Sequence, residues 1–326
     1  MKAQAVLFAG VNQVEIGDVE VPEPEEGEVL LRADFTAISP GTELRCLTGL
    51  QPGYSFPSVP GYSFVGTVIQ SRSGLAEGTR IFCGGTERCS APRGWGGHIS
   101  LAVRSAASCC VIPDNLDSMS ATLARLAAIS HRGYVITDRQ PGTKVAVIGL
   151  GPIGQFSARL FHLGGADVVG FDLSAERVEV LQAAGVPAQL VTGDLAAAVH
   201  EQILGGADVV VDATGAAAVL PSSLKSLRAQ PWEIQGNSPQ LVIQGSYSDT
   251  FRLNYQEAFE RELRILFPRD SGMEDFHTVL DLMARPEGLQ VKDLIAGVFP
   301  FGRAADAYAR LQDSKGSALT FCLDWS

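Results

Sequence analysis

The chain has 326 residues, 46% of them apolar and 19% charged, and a formal net charge of −11. That length suits two domains, the apolar fraction excludes a disordered chain, and the acidic balance excludes a basic footprint for nucleic acid or an anionic membrane. No run approaches the roughly 18–20 apolar residues of a spanning helix, and the six cysteines, two of them adjacent at 109 and 110, are no disulfide framework. The opening MKAQAVLFAGVNQVEIGDVE alternates like a strand and carries early acids, unlike a signal or transit peptide, so a cytoplasmic location is expected.

Residues 3–8, 28–34, 66–70, 79–83 and 98–103 alternate or carry β-branched side chains, with Pro/Gly-rich punctuation between them. Up to about residue 120 this predicts a β-rich domain, broken only by a helical turn or two around 44–50. After Pro113 the period changes. Residues 120–137 have helical spacing, with Ser120 as the expected N-cap. Strands at 144–148, 167–171, 189–191, 208–212 and 240–244 then alternate with helices at 153–163, 175–184 and 195–203, and further helices are expected at 273–284 and 304–313. Such alternation predicts βαβ units and a doubly wound parallel sheet, so the fold class is α/β.

The chemistry begins at Gly149-Leu150-Gly151-Pro152-Ile153-Gly154. The run follows an apolar strand and opens a helix, the context a dinucleotide-binding G-x-G-x-x-G needs. Gly149 serves the tight turn, Gly151 the close approach of a pyrophosphate, and Gly154 the packing of helix on sheet. Pro152 and Ile153 start the helix whose N–H groups face the phosphates. Asp172 ends the next strand, eighteen residues after Gly154. A carboxylate there accepts hydrogen bonds from both ribose hydroxyls and repels a 2′-phosphate, which selects NAD(H) over NADP(H). Arg177 either lies along the adenosine edge or solvates its helix. Thr214, Gly215, Gly245 and Ser246 follow two later strands and are further candidates for lining the cofactor, since ligands bind at carboxyl strand ends. The alternative for each is a plain strand-end turn.

Further runs extend over nearly the whole chain: Pro60-Gly-Tyr-Ser-Phe-Val-Gly66, Trp95-Gly-Gly-His98, Asp208-Val-Val-Val-Asp-Ala-Thr-Gly215 and Phe299-Pro-Phe-Gly-Arg-Ala-Ala-Asp-Ala-Tyr308. With the glycine run they resemble the medium-chain dehydrogenase/reductase superfamily. The resemblance implies a GroES-like catalytic domain over residues 1–120, completed by 268–326, and a Rossmann NAD-binding domain over 121–267. It also implies a homodimer. Zinc enzymes of that superfamily place a cysteine ligand where this chain has Pro40, before Gly41-Thr42-Glu43, and a histidine ligand where it has Tyr62. Their third ligand falls near Arg125-Leu-Ala-Ala-Ile129, which holds no Cys or Asp. No zinc is expected, because zinc needs three or four converging Cys, His or carboxylate ligands. Ile38-Ser-Pro-Gly-Thr-Glu43 and Leu123-Ala-Arg-Leu-Ala-Ala128 resemble the zinc-less, bacteriochlorophyllide a hydroxyethyl dehydrogenase-like branch.

The resemblance implies hydride transfer between NAD(H) and a secondary alcohol or ketone, a small-molecule substrate. Without a metal, side chains must manage the hydroxyl proton. Thr42 matches the hydroxyl that contacts the alcohol oxygen in zinc relatives. Tyr62 offers a phenol to the same oxygen, or is a packed aromatic. Glu43 is either a base or half of a structural ion pair. Two alternatives stand beside this reading: an NAD(P)H-dependent quinone or enoyl reductase, and a non-catalytic dinucleotide-binding protein.

Overall fold

The computed structural model describes every residue except 234, 235, 248, 249, 315 and 316. The described chain divides into two compact units, Met1–Arg125 with Gly272–Ser326, and Leu126–Ser271.

The first unit opens with an antiparallel hairpin of β1 (Lys2–Gly10) and β2 (Gln13–Glu20). Next come β3 (Glu28–Ala37), helix α1 (Pro40–Leu47), β4 (Phe64–Ser71), β5 (Arg80–Cys83), β6 (Leu101–Ser105), β7 (Cys110–Val111) and the one-turn helix α2 (Ser118–Ala121). Helix α3 (Ala124–Ile136) then carries the chain into the second unit. There follow β8 (Lys144–Ile148), α4 (Pro152–Leu163), β9 (Asp167–Asp172), α5 (Ala175–Ala183), β10 (Ala188–Leu190), α6 (Leu195–Gln202) and β11 (Val209–Asp212). The unit ends with α7 (Leu220–Lys225), β12 (Gln240–Ile243), α8 (Tyr255–Glu260) and β13 (Arg264–Leu266). The chain returns to the first unit with α9 (Met273–Ala284), β14 (Ile295–Pro300), α10 (Ala304–Asp313) and β15 (Thr320–Asp324).

In the first unit one sheet runs β14-β15-β3-β4-β5-β7, with β6 also pairing β3. The C-terminal strand is therefore part of this sheet: β15 lies antiparallel to β3, with Cys322 opposite Ala37. In the second unit six strands run β10-β9-β8-β11-β12-β13, all pairs parallel. Renumbered from β8, that order is 3-2-1-4-5-6, whose direction reverses between β8 and β11. The buried strands explain the unbroken apolar runs. Val145 and Val147 face one core, with Phe161 and Val211, while Ala146 and Ile148 face another, with Phe171 and Val210. A parallel sheet covered on both faces leaves no polar side to its strands.

Two local expectations are corrected. The helix expected at 120–137 is two helices, and the first is capped by Asp117 rather than Ser120: the Asp117 carboxylate accepts the Ser120 N–H at 2.8 Å. The helix expected around 44–50 starts at Pro40, which sits in its first turn, where the missing N–H costs nothing. Strands β2, β7, β13, β14 and β15 and helices α7 and α8 are additions to the reading from sequence.

Candidate active site

Two groups of side chains carry the chemistry, one in each unit. In the second unit the turn after β8 is built for close approach. Gly149 has φ +85, and a Cβ placed on Gly154 would stand 1.8 Å from the Gly149 carbonyl oxygen. Only glycine lets α4 begin so near the strand it leaves. Gly151 is the N-cap of α4, with Pro152 and Ile153 in the first turn, and no side chain caps the helix. The nearest foreign atom to a Cβ on Gly151 is Arg177 Nη1, at 3.9 Å. The first N–H groups of a twelve-residue helix are thus left to a ligand. This arrangement fits a dinucleotide pyrophosphate. Replacing Gly154 by alanine is expected to cost about 1–3 kcal/mol of stability and to weaken NADH binding, because the methyl must displace backbone. Denaturant unfolding and NADH fluorescence titration check it; wild-type values in both would refute the packing argument.

Asp172, 8% exposed, ends β9 beside this turn. Its Oδ2 accepts the Leu150 N–H at 2.6 Å and its Oδ1 the Ser174 N–H at 2.8 Å. Arg177 Nη1 stands 3.4 Å from Oδ2. The carboxylate therefore braces the glycine turn as well as offering its remaining lone pairs. Arg177 thus lies beside both Asp172 and Gly151.

Across the switch point, Asp212 ends β11 and is fully buried. Its Oδ1 accepts from the Thr214 N–H, the Thr214 hydroxyl and the Tyr247 hydroxyl, at 3.0, 2.6 and 2.7 Å. Its Oδ2 accepts from the Ser223 hydroxyl at 2.7 Å. Burial, together with the Asp212 charge, pushes the Tyr247 phenol above its usual range. These bonds hold the turn of Thr214 and Gly215 against that of Gly245 and Ser246: a Cβ on Gly245 would lie 2.4 Å from the Gly215 nitrogen. The structure so gathers Gly149, Thr214, Gly215, Gly245 and Ser246 at neighbouring strand ends. The reading from sequence missed Asp212, although a buried acid before Ala-Thr-Gly is a visible signal.

In the first unit, Thr42 and Glu43 lie in the first turns of α1, and Tyr62 follows Gly61. The Tyr62 hydroxyl donates to Ser39 Oγ at 2.5 Å. Its ring meets Trp95 edge-on at 5.2 Å, and the Arg125 guanidinium stands over it at 5.5 Å. Burial raises the Tyr62 phenol above its usual value; hydrogen bonds with Ser39 and Thr42 and the charge on Arg125 only partly oppose it. The phenol therefore keeps its proton at neutral pH. The geometry brings Thr42 and Tyr62 together and adds Ser39 and Arg125.

Glu43 faces the other way. It is fully buried, as are His98 and Tyr308. Its Oε1 accepts the Ser39 N–H at 2.7 Å; its Oε2 lies 2.9 Å from His98 Nε2 and accepts from the Tyr308 hydroxyl. His98 Nδ1 is 2.7 Å from Thr36 Oγ1, which also accepts from Trp325 Nε1 at 3.0 Å. One proton assignment satisfies every group. Trp325 donates to Thr36, Thr36 to His98 Nδ1, and His98 Nε2–H to Glu43. Gly61 makes room for the imidazole, since its φ is +87 and a Cβ there would stand 2.6 Å from the His98 ring. Of the two roles open to Glu43, this network supports the structural one. Among the described residues no three His, Cys, Asp or Glu side chains converge to hold a metal ion.

Comparison with known proteins agrees with this architecture. Residues 25–114 match the alcohol dehydrogenase GroES-like domain family, and residues 152–285 match the zinc-binding dehydrogenase family. Among curated relatives, the 2-desacetyl-2-hydroxyethyl bacteriochlorophyllide A dehydrogenase of Cereibacter sphaeroides is 26% identical, over 100% of this chain and 99% of that one. The L-galactonate-5-dehydrogenase of Escherichia coli is also 26% identical, over 89% of this chain and 90% of its own. The structure of 2R,3R-butanediol dehydrogenase from Bacillus subtilis superposes with a TM-score of 0.86 at 19% identity, covering 99% and 100% of the two chains. The chain is an enzyme of the medium-chain NAD(P)-dependent alcohol dehydrogenase family.

Proposed function

We propose that this enzyme transfers hydride between NAD(H) and a secondary alcohol or ketone without a catalytic zinc. The observation that carries the reading is the hydroxyl cluster of Tyr62, Ser39 and Thr42 beside Arg125. The resemblance to zinc enzymes places metal-binding side chains at Pro40, at Tyr62 and near Arg125. Here the donor set does not fit a zinc ion: Pro40 has no donor atom, Tyr62 is a protonated phenol bonded to Ser39, and Arg125 is a cation. The names of the relatives, dehydrogenases of a hydroxyethyl tetrapyrrole and of a sugar acid, support a hydroxyl-bearing substrate.

The nicotinamide, when bound, supplies or accepts the hydride. Thr42 and Tyr62 hold the substrate oxygen. In the reducing direction the phenol turns its O–H from Ser39 to the substrate oxygen and gives up the proton as negative charge develops there. The Arg125 cation beside the ring stabilises the phenolate left behind, which solvent reprotonates. In the oxidising direction the same proton returns. Asp172 supports NAD(H): its carboxylate repels a 2′-phosphate and accepts from ribose hydroxyls.

Two measurements test this. Metal analysis of the active enzyme, assayed by NAD+ reduction over polyols, sugar acids and hydroxyalkyl tetrapyrroles, is expected to find turnover without stoichiometric zinc. A tightly bound zinc whose removal abolishes activity would falsify the metal-free reading. Asp172→Asn keeps an acceptor for the Leu150 N–H while removing the charge. It is expected to weaken NADH binding by about 1.5–3 kcal/mol, or roughly 10–150-fold, and to narrow the gap to NADPH. Unchanged discrimination would remove Asp172 from cofactor choice.

A further inference from the structure

Two cysteines face each other where β5 and β7 end. The register sets Ile81 opposite Val111 and Phe82 opposite Cys110, so the next pair along the ladder is Cys83 and Cys109. Cys109 lies one residue before β7 but keeps an extended backbone, with φ −109 and ψ 133. The alternation of the strand therefore continues, and directly opposed residues share a face of the sheet. The Ile112 N–H donates to the Arg80 carbonyl at 3.0 Å. Two residues further on, Phe82 and Cys110 form the next hydrogen-bonded pair, which leaves Cys83 and Cys109 as a non-hydrogen-bonded pair. Pairs of that kind approach most closely, with Cα atoms about 4.5 Å apart. A disulfide spans that separation.

The side chains agree with the backbone. Both thiols are free and buried, and Cys109 Sγ donates to the Ser105 carbonyl at 3.5 Å while Cys83 Sγ lies 4.0 Å from the Gly85 carbonyl. Burial alone would raise the Cys83 thiol, but the neighbouring Cys109 thiol and the Arg104 guanidinium outweigh it and bring the thiol below its usual value. The neighbouring Cys83 thiol and burial push Cys109 up. Cys83 is the better nucleophile of the two, since the thiolate is the reactive form. Strand β7 is terminal in its sheet, and Cys109 retains 8% exposure, so a small oxidant has a short path to the pair.

We propose that Cys83 and Cys109 are a reversible dithiol–disulfide pair that closes on oxidation by a peroxide. The Cys83 thiolate attacks the O–O bond, giving a sulfenic acid and, after protonation of the leaving oxygen, one water or alcohol. The Cys109 thiol then attacks the sulfenic sulfur; the S–S bond forms and a second water leaves. Two thiols lose two electrons and two protons, and the peroxide takes them up. The bond closes the segment between residues 83 and 109, which carries Trp95 against Tyr62 and His98 against Glu43.

The test uses the reduced full-length protein and hydrogen peroxide, and it needs no turnover. Titratable thiols under denaturing conditions are expected to fall from six to four and to return with dithiothreitol. A non-reducing peptide map should contain the Cys83–Cys109 cross-link. Cys110→Ser should keep the loss of two thiols, whereas Cys83→Ser and Cys109→Ser should abolish the cross-link. If either of those variants fails to fold, the wild-type map decides alone. An unchanged thiol count, a cross-link involving any other cysteine, or Cys83 carried to sulfinic acid with Cys109 untouched would overturn the proposal.

Discussion

Replacing Tyr62 by phenylalanine is expected to lower kcat by about 10²–10³-fold while leaving the fold and NADH affinity in place. The magnitude is that of removing one oriented donor from an oxyanion site. The ring would survive: its edge contact with Trp95 at 5.2 Å and the Arg125 guanidinium at 5.5 Å depend on carbon, not on the hydroxyl. What is lost is the hydroxyl's bonding to Ser39 Oγ and Thr42, at a cost of about 1–2 kcal/mol of stability. Burial raises the Tyr62 phenol, so the acid of the proposed mechanism stays neutral and keeps its proton. The wild-type rate should then show no loss from Tyr62 ionisation as pH rises toward the ordinary tyrosine value of about 10. A second variant separates chemistry from packing. Arg125→Met keeps an unbranched apolar stem under Tyr62 and Phe276 but removes the cation, so it should lower kcat more than it raises KM. Steady-state kinetics on any substrate that turns over decides both. A Tyr62→Phe enzyme within twofold of wild type would remove the phenol from the mechanism.

How much of this was legible in the sequence follows from how local each feature is. The cofactor turn was legible because its residues act on their neighbours: Gly154 against Gly149, five residues apart, and Asp172 on the next strand with its carboxylate on Leu150. Residue type and spacing carry that information directly. Helices α9 and α10 were legible for the same reason, each burying one periodic stripe. Strand β14 was not legible: its exposure alternates, but Ile-Ala-Gly-Val-Phe-Pro is apolar throughout and carries no polar–apolar period. Strand β15 is different: it is buried almost throughout and acquires its meaning only by pairing with β3, nearly three hundred residues earlier. The cluster proposed to handle the proton was half legible. Thr42 and Tyr62 stand out by what they replace, but Ser39 and Arg125 join them only through the folded sheet and the helix start. Nothing in Ile38-Ser-Pro or Leu-Ala-Arg-Leu announces a hydroxyl partner or a cation.

The same distance argument bears on Glu43, whose partners His98 and Tyr308 lie 55 and 265 residues away. Glu43→Ala is expected to destabilise the protein by about 3–5 kcal/mol, the range for removing one member of a buried charged network. The reason lies in what remains. Ser39 N–H, His98 Nε2–H and the Tyr308 hydroxyl all point at the carboxylate, and all three residues are 5% exposed or less. Each buried donor left without an acceptor costs about 1–3 kcal/mol, reduced where water enters the cavity. Glu43→Gln should fall between, because one amide oxygen still accepts while the amide nitrogen meets a donor. Tyr308→Phe deletes a single donor and keeps the ring that packs at 5.1 Å on Phe8, so its loss should be the smallest of the three. Urea unfolding of each variant measures the order. If Glu43 were instead a base reached by substrate, Glu43→Gln would fold with wild-type stability and lose turnover. The full burial of the carboxylate, with Ser39 tied to one of its oxygens and Tyr62 tied to Ser39, gives it a different task. It anchors the start of α1, and through Ser39 it fixes the hydroxyl against which the Tyr62 phenol is aligned.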